Sequence, residues 1–250
     1  MNYSTNIITE EFYRYEFKYL LNPEQNKQIE AEISNFMQYD GHVHKKLGCS
    51  YYVRSLYFDN ITNERYYEKI DGIRFRKKFR IRTYGKTYEQ ETPIFLEEKG
   101  RYIDRTYKHR VKVLAEYLPI ICIPGKEQEL SGLFPNVDLI QRFIFEVNAS
   151  QVRAKILVDY IRRPYTSNYD VNFRVTFDSH LVATNTDSLF PDISTNWKKV
   201  KSGYTIMEVK FFRRIPAWFH RIIQAHQITR LSISKFCKGM EVTEQAIDLS

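Results

Sequence analysis

The feature that most constrains the fold of this chain is an alternation of basic and apolar residues between positions 73 and 83. The even positions from 74 to 82 are all arginine or lysine, and the odd positions from 73 to 81 are apolar except for Lys77. Side chains two residues apart lie on the same face of a β-strand. This segment therefore predicts a strand with one cationic face and one apolar face.

The same period recurs along the chain and predicts further strands. Strands are expected at residues 14–20, 51–59, 73–83, 94–99, 107–113, 151–162, 172–178 and 204–211. Helices are expected from Pro23 to about Met37, in short pieces between about Leu114 and Glu146, from Pro216 to about Thr229, and as a short helix or loop from Lys235. No tandem repeat or flexible linker interrupts the sequence, so a single domain is expected over residues 1–250, with its core at about 10–240.

Repetition of the cationic face distinguishes a barrel from a surface sheet. Solvation could explain one basic face, but six or seven strands share the pattern, and the amphipathic helices need an apolar surface to cover. We therefore expect an α+β fold in which an antiparallel β-barrel has its apolar faces outward, beneath helices, and its basic faces around a polar lumen. Like charges on neighbouring strands repel, and a bound polyanion would relieve that repulsion.

Composition gives weaker constraints. The net charge of +8 favours an anionic partner without choosing among nucleic acid, a membrane surface and a phosphate metabolite. The three cysteines have no metal-ligand spacing and are expected to be reduced thiols. No segment has the length and apolarity of a membrane span, and residues 1–9 lack the pattern of a signal peptide. A cytoplasmic location is the resulting expectation.

Short sequence blocks in a fixed order resemble a known family. The blocks are Arg14-x-Glu16-x-Lys18-Tyr19-Leu20, Ser55-Leu56-Tyr57-Phe58-Asp59-Asn60, Arg80-Ile81-Arg82-Thr83-Tyr84-Gly85, Leu96-Glu97-Glu98-Lys99, Lys108-x-Arg110, Tyr160-x-Arg162, Arg174-x-Thr176-x-Asp178, Glu208-Val209-Lys210, Pro216-x-Trp218 and Ser234-Lys235-Phe236. Over about residues 10–240 the chain resembles the VTC domain, the polyphosphate polymerase domain of vacuolar transporter chaperone proteins. The resemblance implies the triphosphate tunnel metalloenzyme (CYTH-like) superfamily, and a polymerase that moves the terminal phosphate of ATP to polyphosphate and releases ADP.

The resemblance also implies roles for individual residues. The cations that it assigns to catalysis are Lys18, Arg80, Arg82, Lys99, Arg162, Arg174, Lys210 and Lys235, and those that it assigns to substrate binding are Lys69, Lys108 and Arg110, together with Tyr160. Glu208 corresponds to a metal-binding glutamate for Mn²⁺ or Mg²⁺, and its alternative role is an ion pair with a lumen lysine. An alternating register would place Glu97 and Glu98 on opposite faces of their strand.

The expected partners are ATP, inorganic phosphate and polyphosphate, with no specific nucleic acid and with a membrane protein as a further partner to consider. Two other functions remain open from the sequence. The same lumen could position water and act as a metal-dependent triphosphatase or polyphosphatase. Alternatively, basic and aromatic residues could form a non-enzymatic module that binds RNA or another polyanion, although most aromatic residues share the apolar faces.

Overall fold

The computed structural model describes residues 14–40, 47–89, 92–192 and 195–248, so the predicted polar amino terminus lies outside the described residues. The strands are β1 (Tyr15–Leu21), β2 (Met37–Tyr39), β3 (Tyr51–Asp59), β4 (Phe75–Thr83), β5 (Ile94–Tyr102), β6 (Arg105–Val113), β7 (Arg153–Ser167), β8 (Arg174–Asn185), β9 (Lys198–Lys199) and β10 (Thr205–Phe211). The α-helices are α1 (Pro23–Ile33), α2 (Glu64–Ile70), α3 (Leu118–Cys122), α4 (Glu127–Leu133), α5 (Asp138–Ser150), α6 (Ala217–Ala225) and α7 (Lys235–Val242).

One antiparallel sheet forms the centre of the molecule. Its strands follow the order β1-β10-β8-β7-β3-β4-β5-β6, with β2 beside β7 and β9 beside β8. The two end strands approach each other at Arg14 and Thr106, whose backbone groups exchange hydrogen bonds of 2.9 and 3.2 Å. The sheet therefore curls into a barrel, and within the described residues its seam is bridged at this one point and is otherwise not closed. The predicted α+β fold with an antiparallel, tunnel-like barrel is confirmed.

Helices cover the outward apolar faces of the sheet. On one side Phe79 of β4 packs edge-to-face against Phe143 of α5, with ring centroids 5.3 Å apart. Lys77, the residue that interrupts the apolar series of β4, forms an ion pair with Glu146 of the same helix at 2.9 Å. On the other side α1 and α6 pack on β1, β8 and β10. These contacts leave the basic faces of the strands directed toward the inside of the barrel.

Helix α7 lies against the inner face of the sheet, a position that the sequence pattern did not predict. A Cβ atom added at Gly239 would lie 3.1 Å from Val158 and 3.3 Å from Ala183, so the absence of a side chain allows this close approach. Val158 is two residues before Tyr160 on β7 and shares its face. The helix therefore fills part of the barrel and brings Lys235, at its first position, to the wall of the remaining space.

Several boundaries differ from those expected. Helix α1 begins as predicted, with a capping box between Asn22 and Gln25, but it ends at Ile33 because Met37 pairs with Ser167 as part of β2. Helix α6 ends at Ala225 rather than near residue 229, since Gln227 adopts a left-handed backbone conformation with φ of 49°. Strands β7 and β8 extend further than expected because they pair with each other, and α2 was not predicted.

Two simpler expectations concern the thiols and the membrane. Cys49, Cys122 and Cys237 are free thiols. Among the helices in the described ranges, none combines the length and the apolar character needed to span a bilayer.

Candidate functional site

A cavity of about 960 Å³ occupies the space inside the barrel that α7 leaves open. Twelve of the thirteen side chains that the sequence assigned to a site line this cavity, although they come from seven different strands and α7. They are Lys18, Arg80, Arg82, Lys99, Lys108, Arg110, Tyr160, Arg162, Arg174, Glu208, Lys210 and Lys235. The structure thus brings together residues more than 200 positions apart in the sequence, and we call this space the main cavity.

The exception is Lys69 of α2, which lines a neighbouring cavity of about 300 Å³. Its Nζ atom donates a hydrogen bond of 2.8 Å to the hydroxyl of Ser232. The second cavity shares Glu16, Lys18 and Lys99 with the main cavity as wall residues, so the two spaces adjoin. Lys69 is therefore placed beyond the main group of cations rather than among them.

Glu208 on β10 is surrounded by cations. Its carboxylate accepts hydrogen bonds from Lys235 at 2.7 Å and from Arg162 at 3.3 Å, and it lies 3.5 Å from the Nζ atoms of both Lys18 and Lys210. Burial opposes ionisation of this buried carboxyl, but Lys235 and the other cations hold its pKa well below the usual range. Glu208 is therefore ionised, and it forms ion pairs with lumen lysines, which is the alternative role expected for it.

A second buried carboxylate supports the same group. Asp178 on β8 accepts two hydrogen bonds from Arg162, at 2.6 and 2.7 Å, and forms an ion pair of 2.5 Å with Lys235. Burial opposes its ionisation, yet Arg162 and Lys235 lower its pKa. The sequence analysis placed Asp178 in a family block but gave it no role, because a sequence cannot show which cation each carboxylate contacts.

Arg80 and Arg82 share one face of β4 but have different partners. Arg80 forms a hydrogen bond of 2.7 Å and an ion pair of 2.6 Å with Glu97, the residue opposite it on β5. Arg82 donates to the hydroxyls of Ser55 and Tyr160, and its guanidinium lies 3.9 Å from Glu97. The charge of Arg82 is therefore less neutralised within the protein than the charge of Arg80.

The adjacent glutamates on β5 have opposite orientations, as the alternating register predicted. Glu97 is buried beside Arg80, and Arg80 and Arg82 lower its pKa to about 2 against the effect of burial. Glu98 accepts a hydrogen bond of 3.0 Å from Arg142 of the outer helix α5. Of these two glutamates, Glu97 contributes its charge to the inner face and Glu98 to the outer face.

Some inner residues were missed as site candidates. Lys78 and Tyr57 line the main cavity, and the Nζ atom of Lys78 lies 4.8 Å from the ring centre of Phe236 and 5.9 Å from that of Tyr57. Arg80 donates a hydrogen bond of 3.2 Å to the hydroxyl of Tyr57. The alternation in β4 already contained the signal for Lys78, because it shares the parity of Arg80 and Arg82.

The residues present fit one mode of metal binding. Within the described residues, no group of three or more His, Cys, Asp or Glu side chains is arranged to hold a metal ion. Glu208 and Glu16 both line the main cavity, where Glu16 accepts a hydrogen bond of 2.8 Å from Lys99. Mg²⁺ typically binds through one or two carboxylates together with phosphate oxygens. The donor set therefore suits a cation that binds together with phosphate groups rather than one held by the protein alone.

Anion binding should weaken as the pH rises from 7 to 9. Burial lowers the pKa of Lys78 to about 8, so the free protein loses this positive charge above that pH. Burial opposes ionisation of Tyr57, but Arg80, Arg82 and Lys78 lower its pKa to about 7, so its hydroxyl gains negative charge over the same range. Both changes disfavour an anion, and we expect up to a roughly tenfold loss of tripolyphosphate affinity by calorimetry.

The variant Lys78→Met isolates the lysine contribution. Titration of tripolyphosphate itself is common to both proteins, so the variant should bind more weakly at pH 7 and show a shallower dependence on pH than the wild type. Equal pH dependence in the two proteins would contradict the assignment to Lys78.

The chain is similar to one protein family and, at low identity, to solved structures. The family model of the VTC domain matches residues 13–244. No curated protein sequence matches the chain significantly. The PH1819 protein from Pyrococcus horikoshii OT3 is 12% identical, with a TM-score of 0.47, over 90% of this chain and 96% of that chain. A candidate adenylate cyclase from Bacillus halodurans is 12% identical, with a TM-score of 0.49, over 88% of this chain and 93% of that chain. The family match includes every strand that contributes a side chain to the main cavity.

Proposed function

The chain belongs to the VTC domain family, and from this premise we propose that it transfers the terminal phosphate of ATP to inorganic polyphosphate and releases ADP. The observation that carries the proposal is the convergence of cations from seven strands and α7 on one cavity inside the barrel. Phosphate oxygens accept charge-assisted hydrogen bonds from such cations, and guanidinium groups can bind two oxygens at once.

The balance of charge favours a ligand with several negative charges. Glu208, Asp178 and Glu97 partly neutralise Lys235, Arg162 and Arg80. Arg82 is hydrogen-bonded to hydroxyl groups, and Lys78 lies over an aromatic ring. The positive charges of these two side chains therefore remain available to attract a ligand in the cavity. A chain of phosphates would neutralise them, whereas a ligand with a single charge would neutralise only part of the wall.

Phosphoryl transfer requires positioning more than covalent chemistry from the protein. In the proposed reaction an oxygen of the acceptor phosphate attacks the γ-phosphorus of ATP, and the bond to the β-phosphate oxygen breaks. That oxygen leaves with the bonding electrons as part of ADP. Arg82, Arg162 and Lys235 would hold the phosphates in line and stabilise the charge on the transferring group, which is the largest contribution expected from such a site.

A divalent cation belongs to the proposal. Glu208, with Glu16 nearby in the cavity wall, would hold Mn²⁺ or Mg²⁺ together with substrate phosphate oxygens. When bound, the ion would neutralise phosphate charge and orient the nucleotide. The proposed small-molecule partners are ATP, inorganic phosphate and polyphosphate, and the proposed compartment is the cytoplasm.

The decisive experiment is an incubation of the purified protein with ATP and Mn²⁺. We expect release of ADP and an acid-stable ladder of phosphate chains on a gel, and we expect chelation of the metal to abolish both. Orthophosphate without longer chains would instead support a triphosphatase or polyphosphatase, and would overturn the polymerase proposal.

A nucleic-acid function is tested in the same preparation. Tight, salt-sensitive binding of single-stranded RNA with no turnover of ATP would favour the non-enzymatic alternative. The rings of Tyr57 and Tyr160 are buried among inner-face residues and α7, so they offer poor stacking surfaces for RNA bases. We therefore expect weak RNA binding that tripolyphosphate displaces.

A further inference from the structure

An exposed apolar tip lies where β4 begins and β5 ends. It consists of Ile73, Phe75, Tyr102 and Ile103, whose exposed fractions are 45%, 57%, 54% and 47%. Phe75 and Tyr102 are directly opposite each other, with ring centroids 4.8 Å apart. The backbone N–H of Ile103 donates to the carbonyl of Arg74 at 2.9 Å, which fixes the two ends together. Adjacent exposed apolar residues of this size are typical of interaction surfaces.

Cations adjoin the apolar tip. Arg76 and Arg101 are direct cross-strand neighbours, and both line the second cavity. Arg74, the residue after Ile73, is exposed, and Arg230 lines the same cavity together with Leu231, another exposed apolar residue. Like charges opposite each other in a sheet repel, and burial together with Arg101 lowers the pKa of Arg76. An anionic surface against this end of the barrel would offset the repulsion.

We propose that the apolar tip docks the end of the barrel that contains the second cavity on the surface of an anionic phospholipid bilayer. Ile73, Phe75 and Ile103 would enter the boundary between headgroups and acyl chains, and Tyr102 would lie at the polar boundary, where tyrosine is enriched. The neighbouring arginines would bind lipid phosphates. RNA or a free phosphate chain would satisfy the arginines but leave the apolar side chains in water, so the combination favours a lipid surface.

The opposite end of the barrel provides a matched comparison. The turn between β7 and β8 also exposes apolar residues, Tyr169 at 80% and Val171 at 69%. The residue between them is Asp170, and the nearest cation along the chain, Arg174, lies 3.8 Å from Asp40. The turn between β7 and β8 therefore has exposed apolar area without an excess of positive charge, and it should not bind anionic lipid.

The test is sedimentation of the full chain with vesicles, which requires no catalytic turnover. We expect binding to vesicles in which phosphatidylglycerol replaces about a third of the phosphatidylcholine, and little binding to pure phosphatidylcholine. The variant Phe75→Ser/Ile103→Ser should bind at least about tenfold more weakly, because it loses most of the inserted apolar area. Tyr169→Ser/Val171→Ser should bind like the wild type, and Arg74→Gln should lose roughly fivefold.

Several outcomes would overturn the proposal. One is equal binding to both kinds of vesicle, and another is unchanged binding by the Phe75→Ser/Ile103→Ser variant. A third is concentration-dependent self-association that this variant abolishes while lipid binding is absent, which would assign the tip to a contact between copies of the chain. Thermal unfolding of both double variants should match the wild type, since the substituted side chains are exposed, so a loss of binding will not reflect unfolding.

Discussion

Replacing Asp178 with alanine is expected to lower the free energy of unfolding by about 3–5 kcal/mol, the usual cost of removing one partner from a buried ion pair. The carboxylate of Asp178 is fully buried and compensates two cations, Arg162 at 2.6 Å and Lys235 at 2.5 Å. Without it, these two buried cations would depend on Glu208 for a nearby negative charge. Urea denaturation followed by fluorescence measures the loss, and a midpoint that falls without a change in slope would show that stability alone has changed.

Asp138→Ala is the matched control. Asp138 also pairs with an arginine, Arg142, but it lies on the outer helix α5 with its side chain 80% exposed. Exposed pairs contribute about 0–1 kcal/mol, so this variant should unfold almost like the wild type. Equal losses in the two variants would contradict the view that the buried cations require Asp178.

A second measurement keeps the test informative if Asp178→Ala folds poorly. Asp178→Asn retains the shape of the side chain while removing its charge, so it separates electrostatic compensation from packing. Tripolyphosphate should raise the unfolding temperature of Asp178→Asn more than that of the wild type, since a bound anion can replace the missing negative charge. When the concentration of a bound anion is about 100 times its dissociation constant, the anion raises the free energy of unfolding by about 2.7 kcal/mol. Equal stabilisation of both proteins would indicate that anions do not reach these cations.

Alternation in the sequence predicted which face of β4 lies toward the lumen. Arg80 and Arg82 follow the parity of the segment from 73 to 83, and each strand with that period adds its own inner cations. Register was not predictable in the same way. The pairing of Arg80 with Glu97 depends on how β4 aligns with β5, and the loop between these strands does not specify that alignment. The different neutralisation of Arg80 and Arg82 therefore follows from the strand register and could not be predicted from the alternation.

The position of α7 was also beyond the sequence. The segment after Ser234 has buried residues on much of its circumference, including Phe236, Cys237 and Met240, so no single apolar stripe indicates which side of the sheet it contacts. Only the close approach at Gly239 and the packing on Val158 place it inside the barrel. The inner helix changes the expected lumen, because it occupies part of the space and adds Lys235 to the wall. Lys235 could be identified from the family block, but its simultaneous contacts with Asp178 and Glu208 could not.

Replacing Arg82 with alanine is expected to reduce kcat/KM for the proposed transfer by about 10²–10³-fold, the usual cost of removing one preorganised donor from a reacting centre. Its stability cost should be less than about 2 kcal/mol, because Arg82 is held by the hydroxyls of Ser55 and Tyr160 rather than by a close carboxylate. Arg82→Lys should recover part of the activity, since lysine supplies the charge but not the planar fork. Rates of ADP release and chain growth, with melting curves for each protein, provide the measurement.

Arg163→Ala supplies the control for this experiment. Arg163 follows the inner Arg162 on β7, so it lies on the opposite face of the strand, where it forms an ion pair with Glu30 of α1. Its removal deletes the same guanidinium group without changing the lumen, and turnover should stay within about threefold of the wild type while melting changes only slightly. Calorimetric titration with tripolyphosphate gives an independent readout, in which Arg82→Ala should lose at least about tenfold in affinity and Arg163→Ala should lose little. If both variants keep wild-type affinity and turnover, Arg82 does not bind phosphate. The view that Glu97 neutralises Arg80 while Arg82 remains available to the ligand would then be wrong.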